Sequence, residues 1–336
     1  RLYTAESSGG NDLMKEKNIS WSNILPICTL LIVVVVFSVI SKGRILTGQN
    51  MQTVLDQSLT VMIGGMGMIF VLSHGGIDLA VGSTACVAVF IAAKIAMPYG
   101  VIPVFVIAIL VGTLTGLVIG VFSAKFKVPS FMVTVAMQTG LRGIANFFSA
   151  SSGIIVMSPD FMKLNTLKFK IPFIIILLIL MTYLFEYTKI GIYSKAIGEN
   201  ELCSKISGIN VVKIKCIGFM ISGALAGITG VFMMFRTGGA NNMLGKGFEM
   251  RVIMALLLGS VPVVGGMDSK MFKVVIGALT VLALENGLSV SGISGGLYQL
   301  IEGIMLVVVC VITASVKAKA ILHDEKIALQ QQKTVN

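Results

Sequence analysis

The chain has 336 residues, of which 55% are hydrophobic and only 12% charged, and its mean hydropathy is +0.94. A soluble domain carries roughly a quarter charged residues to cover its surface, so much of this surface must face something other than water. The net charge of +11 does not indicate nucleic acid. Its Lys and Arg residues fall in short clusters between apolar runs, with almost no interleaved aromatics, as in loops held at a lipid surface.

Residues 1–23 form a polar N-terminal tail. Met14-Lys-Glu-Lys reads as a natural start, which leaves residues 1–13 as either native sequence or an expression remnant or upstream read-through. The first apolar stretch follows Lys15 and Lys17 without a small-residue cleavage motif, and is read as an uncleaved span rather than a signal peptide. A membrane-crossing helix needs about 20 mostly apolar residues. Runs of that kind lie at 24–41, 53–73, 81–97, 101–123, 131–149, 171–187, 214–235, 250–266, 271–290 and 296–316.

The fold class expected is therefore all-α, a polytopic transmembrane helix bundle of about ten spans over 24–316. A polar C-terminal tail follows at 317–336. Lysine clusters such as Lys125, Lys127, Lys189, Lys195, Lys205, Lys213 and Lys215 place both termini in the cytoplasm by the positive-inside rule. The basic residues of the 150–170 loop run against that bias.

Glycines three or four apart, Gly112, Gly116 and Gly120 in one run and Gly223, Gly227 and Gly230 in another, lie on single helix faces and predict close packing. Ionisable and polar residues inside spans are costly, so each needs a partner or a role. Gly75, Gly76 and Asp78 form the first such group. The glycine pair breaks a helix and Asp78 caps the next one, as a re-entrant turn, a gate element or both. The tetrapeptide Gly-Gly-Ile-Asp at 75–78 is echoed by Gly-Gly-Met-Asp at 265–268, either by chance or as the trace of duplicated halves.

Gln138, Arg142 and Asn146 are spaced four apart on one face and serve interhelix hydrogen bonding or solute contact. Glu285 and Asn286, with Gln299 and Glu302 on the next span, line a path or pair with Arg142. The longest polar stretch between spans, 189–213, holds a short amphipathic helix. Asn200 caps it, Glu201 sits in its first turn, Leu202 and Ile206 share a face, and Gly208 ends it. Such a helix either docks another protein or lies on the membrane.

No CxxC or ligand spacing relates the five cysteines, and the only histidines are His74 and His323, so neither a disulfide framework nor a metal site is expected. No nucleophile–base pair marks a catalytic site either.

Four segments in order resemble one family, the permease subunits of ABC-type importers of the ribose, xylose and autoinducer-2 kind. Residues 75–83, GGIDLAVGS, resemble its GGIDLSVGS signature, with Ala80 in place of Ser. Residues 128–134, VPSFMVT, continuing to Arg142-Gly143, are similar to its PxFIVTLGxxxxxRG segment. Gly198, Glu199 and Asn200, continuing to Ser207, Gly208 and Ile209, resemble GGNxxAAxxSGI, with Cys203 and Ser204 for the two alanines. Gly245-Lys-Gly-Phe-Glu249, Gly265-Gly266 and Asn286-Gly-Leu288 resemble its C-terminal pattern. Arg251, Met254 and the Gly259-Ser260 pair depart from it.

The resemblance implies a permease subunit in a bacterial cytoplasmic membrane that forms the path for a pentose-like sugar or related small polar solute. It implies a second permease chain, as homodimer or heterodimer, cytoplasmic ATPase subunits and an extracytoplasmic solute-binding protein. It also implies that Gly198, Glu199, Asn200, Glu201, Ser207 and Gly208 couple to the ATPase. The chain has no GxxxxGK[ST] phosphate loop, so ATP and Mg are expected on the partner, with no cofactor here and no enzyme activity. The rival is an ion-coupled secondary transporter of a small polar solute, using Glu285, Glu302 or Arg142.

Overall fold

The computed structural model describes residues 21–263 and 265–292, with scattered positions between 297 and 311. Span 296–316, Gln299, Glu302 and both tails therefore lie wholly or largely outside the described residues. The helices are α1 (Trp21–Ile40), α2 (Gly48–Ser73), α3 (Val81–Ala96), α4 (Val101–Gly120), α5 (Ser130–Ser152), α6 (Pro159–Met162) and α7 (Leu167–Thr182). After them come α8 (Lys189–Glu199), α9 (Glu201–Ile206), α10 (Val211–Thr237), α11 (Phe248–Leu258) and α12 (Met271–Val290). The only strands among the described residues, β1 (Ile155–Val156) and β2 (Gly239–Ala240), pair antiparallel as a two-residue ribbon between loops. The architecture is an all-α polytopic bundle.

Among the described residues six helices are long and apolar enough to cross a membrane: Gly48–Ser73, Val81–Tyr99, Val101–Lys125, Leu167–Tyr187, Val211–Thr237 and Met271–Val290. The apolar part of α1, Ile24–Ile40, is shorter, and α5 has the length but carries the Gln138–Arg142–Asn146 stripe. One expected span is corrected. The apolar run 250–266 is not a continuous helix, because α11 stops at Leu258. Ser260 takes a left-handed φ of 59°, its N–H bonds Leu257 O, and the next N–H, of Val261, bonds Leu256 O. These are the two reversed bonds of a Schellman cap.

The central element is α10, which packs against α2, α3 and α4. Its contact with α4 is backbone against backbone. A Cβ on Gly112 would lie 2.0 Å from the Gly223 carbonyl oxygen, and one on Gly223 would lie 2.0 Å from that of Gly112. Gly116 meets the Phe219 carbonyl and Gly227 that of Ala108 in the same way. This is the close packing read from the glycine spacing. In lipid, dispersion and weak Cα–H···O contacts at this range replace the hydrophobic drive of soluble cores. Phe105 of α4, Phe173 of α7 and Phe232 and Phe235 of α10 close the bundle with an aromatic cluster.

Chain direction sorts the ends. Helix α9, the 74–80 turn and the 259–270 turn lie at one end, and Asn50, Asp56, Arg236 and Asn286 lie toward the other.

Gly112→Ala is expected to cost more than the roughly 1–3 kcal/mol of ordinary overpacking, since the obstacle is backbone. Gly140→Ala, whose Cβ would meet nothing within 4 Å, should stay within about 1 kcal/mol of the parent. Thermal unfolding of the two purified variants in one detergent checks the contrast, and equal midpoints would refute it.

Candidate functional site

The passage from α10 to α12 is broken. After Gly238 the chain turns at the far end, and residues 241–247 then descend without helical structure to Gly82, near the start of α3. Gly245 reaches so deep that a Cβ on Gly82 would lie 2.2 Å from its carbonyl oxygen. Only from Phe248, which lies against Gly64 of α2, does α11 complete the crossing.

Irregular backbone inside a bilayer must have its polar groups satisfied by protein. Here α5 supplies them. Arg142 Nη1 donates to the carbonyls of Asn242 (3.2 Å) and Leu244 (2.7 Å), Asn242 donates from Nδ2 to Asn146 Oδ1 (3.1 Å), and Gln138 donates from Nε2 to Glu249 Oε1 (2.7 Å). The three residues read as one polar stripe thus all bind one segment, the broken crossing. Two buried atoms of this set, Arg142 Nη2 and Glu249 Oε2, have no hydrogen-bond partner.

Beside the broken segment lies a cavity of about 260 Å³, lined by Gln57, Thr60, Arg236, Asn241, Phe248 and Arg251 among others. It shares Gln57 and Arg236 with a wider concavity at the far end, which adds Gln49, Gln52, Asp56 and Asn165. The two make one funnel from the far end toward the middle of the bundle. Its walls mix amides and hydroxyls with charges, and two of those charges, Arg251 and Asp56, are in ion pairs. Glu285 Oε1 forms an ion pair with Arg251 Nε at 3.0 Å, and Lys170 of α7 pairs with Asp56 of α2. Glu285 is therefore the partner of Arg251, not of Arg142. Asn286 exchanges amide hydrogen bonds with Asn50 and so ties α12 to α2.

At the opposite end the first glycine pair makes a Schellman stop. The Gly75 N–H bonds Leu72 O, the Gly76 N–H bonds Val71 O, and Gly75 has φ 79°. Asp78 accepts from the Ala80 N–H at 3.0 Å and from the Ser222 hydroxyl of α10 at 2.7 Å. It serves the turn into α3 with one oxygen and an interhelix bond with the other. The ring of His74 is buried between Gly76, Gly218 and Phe219, with both nitrogens unpartnered. Burial first, then the nearby charge of Lys215, lower its pKa to about 3, so the imidazole is neutral at physiological pH.

The second glycine pair packs on the last turn of α2, just before the first pair. The Gly266 N–H bonds the Ser73 carbonyl at 3.0 Å, and a Cβ on Gly198, near the end of α8, would lie 2.0 Å from that same carbonyl oxygen. Glu199 then accepts from the Met267 N–H at 2.7 Å. Glu186 binds Lys195 of α8 with one oxygen and the Met271 N–H of α12 with the other. These contacts fasten α8 to α2, to the 265–267 turn and to α12.

Beyond this junction stands α9, capped as read: Asn200 Oδ1 accepts from the Cys203 N–H at 2.9 Å and Gly208 ends the helix at φ 82°. Leu202 and Ile206 are 67% and 78% exposed, an apolar face that none of the described residues covers. Ser207 is the residue on which α9 closes, its N–H bonding Cys203 O.

Several residues of this arrangement escaped the sequence reading. Glu186, Ser222 and Asp56 carry no motif that marks them, and Glu249 closes the Gly245–Glu249 segment with nothing there to name Gln138 as its partner. Lys273 is fully buried and donates to the carbonyls of Ser260 (3.2 Å) and Asp268 (2.9 Å), holding the 259–270 turn closed. Its place inside an apolar run was the available signal. Among the described residues no group of His, Cys, Asp and Glu could hold a metal ion.

The profile of one family, described as branched-chain amino acid transport system / permease component, matches residues 50–310. The chain is 32% identical to the ribose import permease protein RbsC of Haemophilus influenzae, over 84% of this chain and 90% of that one. It is 30% identical to the ribose import permease protein RbsC of Escherichia coli K12, over 86% and 92%. With the xylose transport system permease protein XylH of Haemophilus influenzae it shares 28% identity over 91% and 100%. No solved structure matches.

The Arg251–Glu285 pair is open to a double-mutant cycle. Arg251→Met with Glu285→Gln should show a coupling of about 1 kcal/mol in thermal stability. Water limits it, because the Arg251 side chain is 38% exposed. Strict additivity would mean that the two charges do not sense each other.

Proposed function

The chain belongs to the family of branched-chain amino acid transport system permease components, and on that footing we propose how its broken crossing and its α9 end work in transport. It is the permease subunit of an ABC importer for a sugar of the ribose, allose or xylose kind, and its chemistry is transport, not catalysis. Family membership supports this reading over an ion-coupled carrier.

In this proposal residues 24–316 make ten crossings, α11 with its unwound lead-in counting as one, and both tails lie in the cytoplasm of a bacterial cell. The α9 end faces the cytoplasm and the funnel faces out. A solute released by an extracytoplasmic binding protein enters between α2, α10 and the 241–247 segment, where hydroxyls and amides replace its water. The unpartnered Arg142 Nη2 and Glu249 Oε2 are a donor and an acceptor for it as it passes. Gly75, Gly76 and Asp78 form the inner stop of this path, and Glu285 and Asn286 set the wall at its mouth. A second permease chain completes the pore, and the chain itself binds no cofactor.

The observation that carries the coupling scheme is the exposed Leu202–Ile206 face on a helix whose base is fastened, through α8, to α2, to the 265–267 turn and to α12. Two ATPase subunits, holding ATP and Mg, dock on that face. Closure of those subunits pushes α9, and the Gly198–Ser73–Gly266 contact passes the push to the ends of α2 and α12.

Uptake of labelled ribose into proteoliposomes holding the chain, its ATPase and its binding protein is expected to require ATP. The Leu202→Asp/Ile206→Asp variant should lower uptake at least tenfold and release the ATPase during purification, with an unchanged melting temperature. Uptake driven by an ion gradient without the ATPase would sink the reading.

A further inference from the structure

A second cavity, of about 790 Å³, opens at the α9 end between the 74–77 turn, the α4–α5 connection, α9 and the start of α10. Three ammonium groups line it, from Lys127, Lys205 and Lys215, against one carboxylate, Glu201. That carboxylate is held by Lys215 at 2.6 Å, while Lys127 and Lys205 have no carboxylate partner among the described residues. The site is thus net cationic by two charges before any ligand enters. A neutral sugar leaving the bundle has no need of such a lining, and a metal cation would be repelled.

Two further features point to an occupant. His74 forms part of the wall, and both its ring nitrogens are buried without a partner, a state that costs free energy unless something satisfies it. Lys127 holds a left-handed φ of 58°, which glycine or asparagine would take with little strain and lysine takes only at a cost. The chain keeps a lysine there all the same, at the rim of the cavity. The Ser123 and Ser130 hydroxyls and the Asn210 amide complete a set of neutral polar groups.

We propose that this cavity is a binding site for a phosphate monoester, which bridges α9 through Lys205 to the α4–α5 connection through Lys127. Lysine serves such anions as a point charge, and several donors around one phosphate share its oxygens. Because Lys205 lies on α9 and Lys127 on the lead-in to α5, a bound anion joins the proposed docking helix to the helix that stitches the broken span. The site would report on phosphorylated sugar, the product of any kinase acting on what is imported, or on the phosphate of an anionic lipid. The sidedness rests on the permease reading above, but binding itself is measured without transport.

The full-length chain in phosphatidylcholine nanodiscs is titrated with ribose 5-phosphate, inorganic phosphate and ribose by isothermal calorimetry. Saturable binding of the two phosphates is expected at low salt, weakening as salt screens the lysines, with no binding of ribose that depends on the same lysines. Lys127→Asn with Lys205→Gln should weaken phosphate binding at least tenfold without lowering the melting temperature, both residues being exposed and asparagine fitting the left-handed φ of 58° at 127. Lys125→Gln, outside the cavity lining, should bind as the parent does.

A second set of nanodiscs contains phosphatidic acid. Displacement of ribose 5-phosphate that requires Lys127 and Lys205 would assign the resident phosphate to lipid, and undisturbed binding would assign it to the free ester; either upholds the site. Absence of lysine-dependent binding from both sources, or full affinity in the double variant, overturns it. An importer that fails in proteoliposomes while the phosphate still binds would count against the transport reading alone.

Discussion

An unwound backbone in the middle of an apolar bundle must find hydrogen-bond partners within the protein, and residues 241–247 impose that demand on everything around them. Each unmet carbonyl or amide there costs several kcal/mol in a hydrocarbon setting. The segment meets part of the need itself, through short turns such as Leu244 N–H to Asn241 O and Lys246 N–H to Met243 O. The rest comes from α5, where Arg142 alone satisfies two carbonyls. The position of α5, the glycine at 82 that lets Gly245 approach and the half-helix α11 all follow from keeping this strand of chain inside. A polar cavity beside it is the dividend.

Rigidity elsewhere frames that soft region. The glycine faces of α4 and α10 bring carbonyls within contact of the opposing backbone, which leaves little room for sliding without separation. At the α9 end three helix stops, after α2, α9 and α11, use the same pair of reversed hydrogen bonds. At the end of α2, Gly198 and the 265–266 glycine pair wedge against the Ser73 carbonyl in a single hard contact. In the proposed cycle motion enters at α9, crosses this contact and reaches α2 and α12, which wall the funnel. The glycine-pair echo at 75–78 and 265–268 acquires a physical meaning, because both turns meet at this one place. Their aspartates differ in use: Asp78 works through its side chain, whereas Asp268 offers its backbone carbonyl to Lys273.

Much of this was legible in the residues. Apolar runs located nearly every long helix, the spacing of Gly112, Gly116 and Gly120 against Gly223 and Gly227 forecast a close contact, and Asn200 and Gly208 bounded α9. What failed was the run 250–266. Hydropathy reports composition, and a Schellman stop at Ser260 does not alter it. A left-handed serine is invisible to that measure. Pairing was equally hidden, because a stripe such as Gln138–Arg142–Asn146 shows that a partner is needed and not which one. Arg142 found backbone carbonyls rather than Glu285, which Arg251 had already neutralised.

Hydrogen–deuterium exchange across residues 239–247, compared between the parent and Arg142→Met, tests most directly whether α5 holds the broken crossing in place. The expected result is slow exchange in the parent and at least a tenfold acceleration in that segment alone, with α10 and α2 unchanged. Fast exchange in the parent, or unaltered protection in the variant, would show that the segment does not depend on the Arg142 stitch.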